Sequence, residues 1–265
     1  MKIKKAIWIF VMMIAAAALV FVINSRTGLS SEIILGGTDS VFIDSDNLKK
    51  PLDDYDSKVE AEEKYADLDF PNIDIEDWNY ILINSSHIVK DNTPEVTQVS
   101  DFDVTFDNRA IRQLVGLIEA ARKAGFDPYL SRGYVSYTAA SQQLNEEAAK
   151  LTAGGRLSFE EALKIATKNS ETPGTSDHQT ALGVDITDKK YDVYDYSKMN
   201  AKFFEWLDEH CAEYGFIKRY PSNKSGITGV DQPWHYRYVG AVAAKFIMEN
   251  GMCLEEFVDH YEYQK

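Results

Sequence analysis

The stretch "SDHQTALGVDIT", Ser176 to Thr187, decides how the rest of the chain is read. It follows a Pro173-Gly174 turn, so His178 falls in a loop, while "GVDIT" reads as a short strand carrying Asp185 seven residues later. A second strand-like run, "QPWHYRY" from Gln232 to Tyr238, carries His235. Two imidazoles and one carboxylate suit zinc, leaving a fourth coordination position for a water that the ion acidifies. The chain has five histidines, and a single His is more often a satisfied polar residue than a ligand, so residue types alone leave both readings open.

Upstream of this stretch, "WNYILIN" (Trp78–Asn84) reads as a strand. "NRAIRQLVGLIEAARKAG" places Ile111, Leu114, Val115, Leu117, Ile118 and Ala121 on one helical face that Gly125 closes. A short strand around "DPYLS" follows, then a polar-faced helix over about 138–150 and a helix "SFEEALKIATKN" that Ser158 can cap. Downstream, an amphipathic helix over about 198–214 ends at Gly215, and two more helices over about 241–249 and 254–261 close the chain. Strands and helices do not alternate as parallel units, so the expected class is α+β: a small central antiparallel sheet with flanking helices.

The ends of the chain differ in character. Lys2, Lys4 and Lys5 precede an uncharged apolar run from Ala6 to Ile23, which reads as a signal anchor or signal peptide over 1–24, the anchor being favoured because the run lacks small residues at its end. The positive-inside rule then puts everything after Asn24 outside the cytoplasm, with the membrane as a partner through that segment. Residues 25–69 are acidic, aromatic-poor and aperiodic, and read as an extended linker before a domain over 70–265. The formal net charge of -14 excludes a non-specific nucleic-acid binder, which needs a basic surface. Cys211 and Cys253 are too few for a disulfide framework and read as either a single pair or two buried thiols, the second being favoured.

At the level of motifs, "SDHQTALGVDI" resembles the Ser-x-His-x-x-x-x-x-x-Asp signature of the VanY-like zinc D-alanyl-D-alanine carboxypeptidases, a group that shares its fold with hedgehog signalling domains and lysostaphin-type peptidases. "YGFIKRYP", "ITG" and "PWHYRYVG" resemble its downstream blocks in the right order, so that the similarity runs from about Trp78 to Gly251. The resemblance implies zinc held by His178, Asp185 and His235. It also implies hydrolysis of the terminal D-alanine of a peptidoglycan stem peptide.

Such a site needs a base, an oxyanion donor and a cation for the substrate's free carboxylate. The family usually reads Ser-Gly-Tyr-Arg-Ser where this chain has "SRGYVSY"; Val135 takes the arginine position and Arg132, three residues earlier, is the candidate clamp. Ser176 matches a substrate-contacting serine, and Gln142 can stand for a glutamine on the preceding helix. Arg237 keeps the family pattern, with a structural ion pair at least as good an account of it as substrate contact. Trp234 and Tyr236 flank His235 and by alternation face the core, and Asp188 can support the loop after Asp185.

One departure bears on catalysis. The family's Glu-Pro-Trp-His supplies the general base three residues before the metal His, and here that position is Gln232. The chain is one residue shorter than the usual pattern between Gly229 and Gln232, which makes Asp231 a neighbouring substitute if a bulge turns it inward. Three functions follow: an active carboxypeptidase, a catalytically weak zinc-containing protein that binds the same peptide ends, and a wall-associated domain whose metal only stabilises the fold.

Overall fold

The computed structural model describes Tyr65, residues 67–169 and residues 171–262. The apolar run near the N-terminus and most of the acidic stretch lie outside these residues. Among the described residues no helix is long and apolar enough to cross a membrane.

The elements run β1 (Val96–Gln98), β2 (Thr105–Asp107), α1 (Ile111–Lys123), β3 (Tyr129–Arg132), α2 (Tyr137–Thr152), α3 (Phe159–Asn169), β4 (Gly183–Thr187), α4 (Ala201–His210), β5 (Phe216–Tyr220), β6 (Gln232–Tyr238), α5 (Ala241–Glu249) and α6 (Leu254–Glu262), with short 3₁₀ and helical turns between. β1 and β2 form a hairpin, and the main sheet is antiparallel in the order β3-β4-β6-β5. The α+β class is therefore as expected, and the helix periodicities hold: Leu114, Leu117, Ile118 and Ala121 are all buried. Ser158 caps α3 through a reciprocal box, accepting from the Glu161 N–H at 3.2 Å while its own N–H donates to Glu161 at 2.9 Å.

Strand alternation divides the main sheet into two chemically different faces. Leu130, Val184, Ile186, Phe216 and Tyr236 turn to the larger core, where α1 and α4 cover them with residues such as Leu117, Phe203 and Leu207. The cross-strand pairs Asp185↔His235, Gly183↔Arg237 and Ile217↔Arg237 share the other face, which is polar beside β4 and apolar at Ile217. There a second cluster of Ile217, Val239, Ala244, Ile247, Leu254 and Phe257 packs under α5 and α6. α2 and α3 form a separate helical hairpin through Leu144, Ala148, Ala162 and Ala166.

Two expectations are corrected. "WNYILIN" is a 3₁₀ turn over Trp78–Tyr80 followed by irregular chain outside any strand. Its carbonyls are consumed by a side chain: Nη2 of Arg237 donates to Asn79 O at 3.2 Å and Ile81 O at 2.9 Å, while Asn79 Nδ2 donates to Val239 O at 2.7 Å. Tyr65 and Leu68, inside the stretch expected to be linker, pack in the second cluster; the Lys224 ammonium donates to the Tyr65 hydroxyl at 3.0 Å and to Glu256 at 2.7 Å. Periodicity had no means of detecting either, because both partners lie more than a hundred residues away.

Candidate metal centre and active site

His178 is presented by a 3₁₀ turn, Asp177–Thr180, whose N-cap is Ser176. The Ser176 hydroxyl is buried and accepts the His178 N–H at 3.3 Å, so the serine shapes the turn that carries the first imidazole. Asp185 and His235 face one another in register across β4 and β6. Oδ1 of Asp185 lies 3.4 Å from His178 Nε2 and 2.9 Å from His235 Nδ1, and one donor atom from each of the three buried residues falls within 4.8 Å of the others.

This geometry fits a tetrahedral metal. An ion about 2.0–2.1 Å from each donor needs donor atoms a little over 3 Å apart, which side-chain adjustment reaches from here. The non-facing ring nitrogens, His178 Nδ1 and His235 Nε2, are buried without a hydrogen-bond partner. What fits a cation is the donor set itself: two buried imidazoles aim their facing nitrogens, His178 Nε2 and His235 Nδ1, at one carboxylate oxygen. The three side chains also act on one another's charge. Burial opposes the Asp185 charge but His178 and His235 outweigh it and hold the carboxyl far below its ordinary value; burial likewise opposes protonation of His178, yet the Asp185 carboxylate pushes its pKa up.

Behind the trio lies a fully buried charge network. Asp177 accepts from Arg219 Nε at 2.6 Å and from Arg237 Nη1, and Arg219 forks onto both oxygens of Glu255 at 2.8 and 2.7 Å. Asn84 Nδ2 completes Glu255 at 3.1 Å. Burial raises the Asp177 pKa, but Arg237 and Arg219 outweigh it and keep the carboxylate ionised. Arg237 is thus a structural ion-pair residue. Gly183 sits where these groups converge: a Cβ there would come within 2.7 Å of Asp177 Cβ and 2.8 Å of His235 Nε2.

On β3 the strand register slips between Leu130, opposite Ile186, and Arg132, opposite Asp185, leaving Ser131 as the extra residue. This bulge turns Arg132 onto the face of Asp185, so the displaced arginine stands beside the metal trio after all. Val135, at the family's arginine position, donates its N–H to His178 O at 3.0 Å. Gln142 is exposed on α2, its amide donating to Glu146 at 2.9 Å. Gln232 opens β6 opposite Tyr220, after a register slip that accommodates Pro233, which has no N–H for the ladder. Asp231 is exposed and accepts the Ser222 hydroxyl at 3.0 Å. Tyr236 is buried in the core as alternation requires, and the half-buried Trp234 packs on Tyr194 with centroids 4.8 Å apart. Asp188 supports the loop after β4, accepting from the Tyr191 hydroxyl at 2.9 Å and the Asn200 N–H at 3.4 Å. Both cysteines are buried free thiols, with burial pushing Cys211 up to about 12.

The comparisons agree with the geometry. The VanY profile, described as D-alanyl-D-alanine carboxypeptidase, matches residues 103–241. The chain belongs to the VanY family. It is 36% identical over 188 residues to a D-alanyl-D-alanine carboxypeptidase of Enterococcus faecalis (strain ATCC 700802 / V583), spanning 70% of this chain and 68% of that one. Among solved structures, a mutant of the vancomycin resistance D,D-pentapeptidase VanY from a VanB-type cassette, in complex with Zn(II), superposes with a TM-score of 0.56 at 36% identity, over 69% of this chain and 99% of the other. VanYB in complex with D-alanine-D-alanine gives 0.57 at 35% identity, over 69% and 98%.

Within this VanY-family chain, Asp177, Arg219, Glu255 and Glu171 are site-region residues that sequence reasoning passed over. Asp177 and Arg219 lie inside quoted motif blocks, but Arg219 follows Lys218 in "FIKRY", and alternation puts it on the face opposite Lys218, with Ile217, which is the one usable signal for a buried partner. Glu255, at the start of α6, reads only as a favourable first-turn acid.

Proposed function

We propose that the protein is an extracytoplasmic zinc D,D-carboxypeptidase that acts on the terminal D-alanine of peptidoglycan stem peptides, with turnover attenuated by Gln232. The observation that carries the zinc peptidase reading is the convergence of His178 Nε2 and His235 Nδ1 on Asp185 Oδ1, with all three side chains buried. His178, Asp185 and His235 would hold the ion, which when bound supplies Lewis acidity toward the scissile carbonyl and acidifies a water. The chain's own residues do the rest. Arg132, on the Asp185 face, is the cation for the peptide's terminal carboxylate, and its loss should weaken binding of a free-acid peptide by about 1.5–3 kcal/mol. Ser176 holds the His178 turn. Gln142, exposed and bonded to Glu146, remains a proposed substrate contact only through the family resemblance.

Gln232 can orient a water by hydrogen bonding but cannot take its proton, and a missing general base forfeits about 10²–10⁴ in rate. Asp231, engaged with Ser222 at the surface, supports attenuation rather than a shifted base. That favours a second reading, a zinc-containing protein that binds wall peptides and turns them over slowly or not at all. The extracytoplasmic location rests on the lysines and apolar run at the start of the chain.

The test is D-alanine release from a D-Ala-D-Ala peptide by the zinc-loaded protein. His178→Ala should abolish metal retention against a chelator, and Gln232→Glu should raise turnover at least about a hundredfold with no change from Asp231→Asn. Wild-type activity silenced by Asp231→Asn would instead make Asp231 the base. Tight peptide binding without release in the wild type selects the binding-protein reading.

A further inference from the structure

Arg132 already holds a carboxylate. Its Nη2 lies 3.0 Å from Oε2 of Glu171, with 34% of the arginine side chain and 26% of the glutamate side chain exposed. The pair belongs to the metal face: Arg132 stands opposite Asp185, and after burial and Asp185, the charges of Glu171 and Arg132 are the next to act on His178, in opposite senses. Glu171 also acts on Tyr220, whose ring packs 5.1 Å from that of His235.

Glu171 sits just after α3, upstream of a turn that is firmly tied down. Thr175 donates to Thr172 O at 3.1 Å, Gly174 N donates to the Gln179 side chain at 2.6 Å, and Val89 N donates to Gly174 O at 2.9 Å. Those anchors fix the backbone beyond Glu171, while its own side chain is partly open to solvent. Chemically, a glutamate on a guanidinium is what a peptide C-terminus would also present: one negative charge and two acceptor oxygens for a planar fork.

We infer that Glu171 is an internal competitor for the carboxylate clamp, filling Arg132 in the peptide-free protein so that a peptide with a free C-terminus must displace it to reach the metal trio. The inference rests on the proposed role of Arg132 as that clamp. Exchange of one carboxylate for another conserves the charge pairing at Arg132, so the peptide gains only the difference between two ion pairs. Glu171 is in this sense a specificity residue: a peptide ending in an amide cannot replace it, and Arg132 stays neutralised. Surrendering a partly exposed pair is a small penalty, equivalent to about two- to fivefold in affinity.

The test uses the full-length zinc-loaded protein and calorimetric titration with a D-Ala-D-Ala peptide whose last peptide bond is reduced, so that no turnover occurs, in free-acid and C-terminally amidated forms. Glu171→Gln should tighten the free-acid peptide about two- to fivefold and leave the amide unchanged, and the gain should vanish in an Arg132→Ala background. No gain in Glu171→Gln, with Arg132→Ala still selectively weakening the free acid, overturns the competitor and leaves the clamp standing. A gain that persists without Arg132 reduces it to long-range charge and also overturns it. If Arg132→Ala affects acid and amide alike, the clamp reading itself fails and takes the competitor with it. Glu171→Ala, read beside thermal unfolding, guards against misfolding: equal weakening of both peptides with a lowered Tm in both Glu171 variants would make the pair structural and overturn the proposal.

Discussion

Gly183 shows how narrowly the metal face is built. It is one position before the Val184 that packs into the core and two before Asp185, and it stands opposite Arg237 on β6. A methyl group there meets Asp177 on one side and the His235 ring on the other at distances that real Cβ atoms do not tolerate. Both neighbours are locked, Asp177 by two guanidinium groups and His235 by strand register, so neither gives way cheaply. Gly183→Ala should therefore destabilise the fold by about 1–3 kcal/mol in denaturant unfolding and lower zinc affinity in chelator competition. Unchanged stability would mean that the 3₁₀ turn carrying Asp177 yields more easily than its bonding suggests. The candidate ligands His178, Asp185 and His235 were legible in the sequence through their motif blocks and not from residue types alone. The need for glycine was not, because the atoms it avoids come from a turn and a distant strand.

The strands and turns carry the ion network that supports the site. Arg219 on β5 joins Asp177 of the 3₁₀ turn to Glu255 at the head of α6, with no exposure of its own side chain. Replacing it with methionine leaves two buried carboxylates short of a partner, and the expected loss is about 3–5 kcal/mol of unfolding free energy. Burial raises the Glu255 pKa, but the Arg219 charge and bonds outweigh it and set it below its ordinary value of 4.5. A depressed carboxylate stabilises the fold at pH values above its unfolded pKa and loses that contribution as pH falls through 4.5 toward the folded value. The stability gap between wild type and Glu255→Gln should accordingly be widest near neutrality and shrink below about pH 4.5, which urea titrations at several pH values will read. A gap constant across that range would show that Glu255 contributes through packing alone.

At the scale of the whole molecule, the proposed topology predicts that protease added to intact cells releases a soluble fragment beginning in the acidic stretch before the folded domain. Protection until lysis would refute an extracytoplasmic domain, and mature material starting just after the apolar run would identify a cleaved signal. What the sequence by itself determined is the local and the periodic: α1 from its apolar spacing, α3 from its Ser158-Glu161 box, the strands bearing Asp185 and His235, the side-chain alternation that buries Tyr236, and the three donor types of the metal centre. These follow from interactions within a few residues, or from motifs whose residue types already state their chemistry. Only the tertiary structure decided the rest. The bulge at Ser131 that returns Arg132 to the metal face depends on pairing with a strand some fifty residues away, and the capture of the Asn79 and Ile81 carbonyls by Arg237 spans more than 150. The Glu171–Arg132 pair joins a strand end to a loop that no periodicity links. Each is a contact between segments whose separate sequences carry no sign of the other, because the partner exists only once β3, β4 and β6 have closed into one sheet.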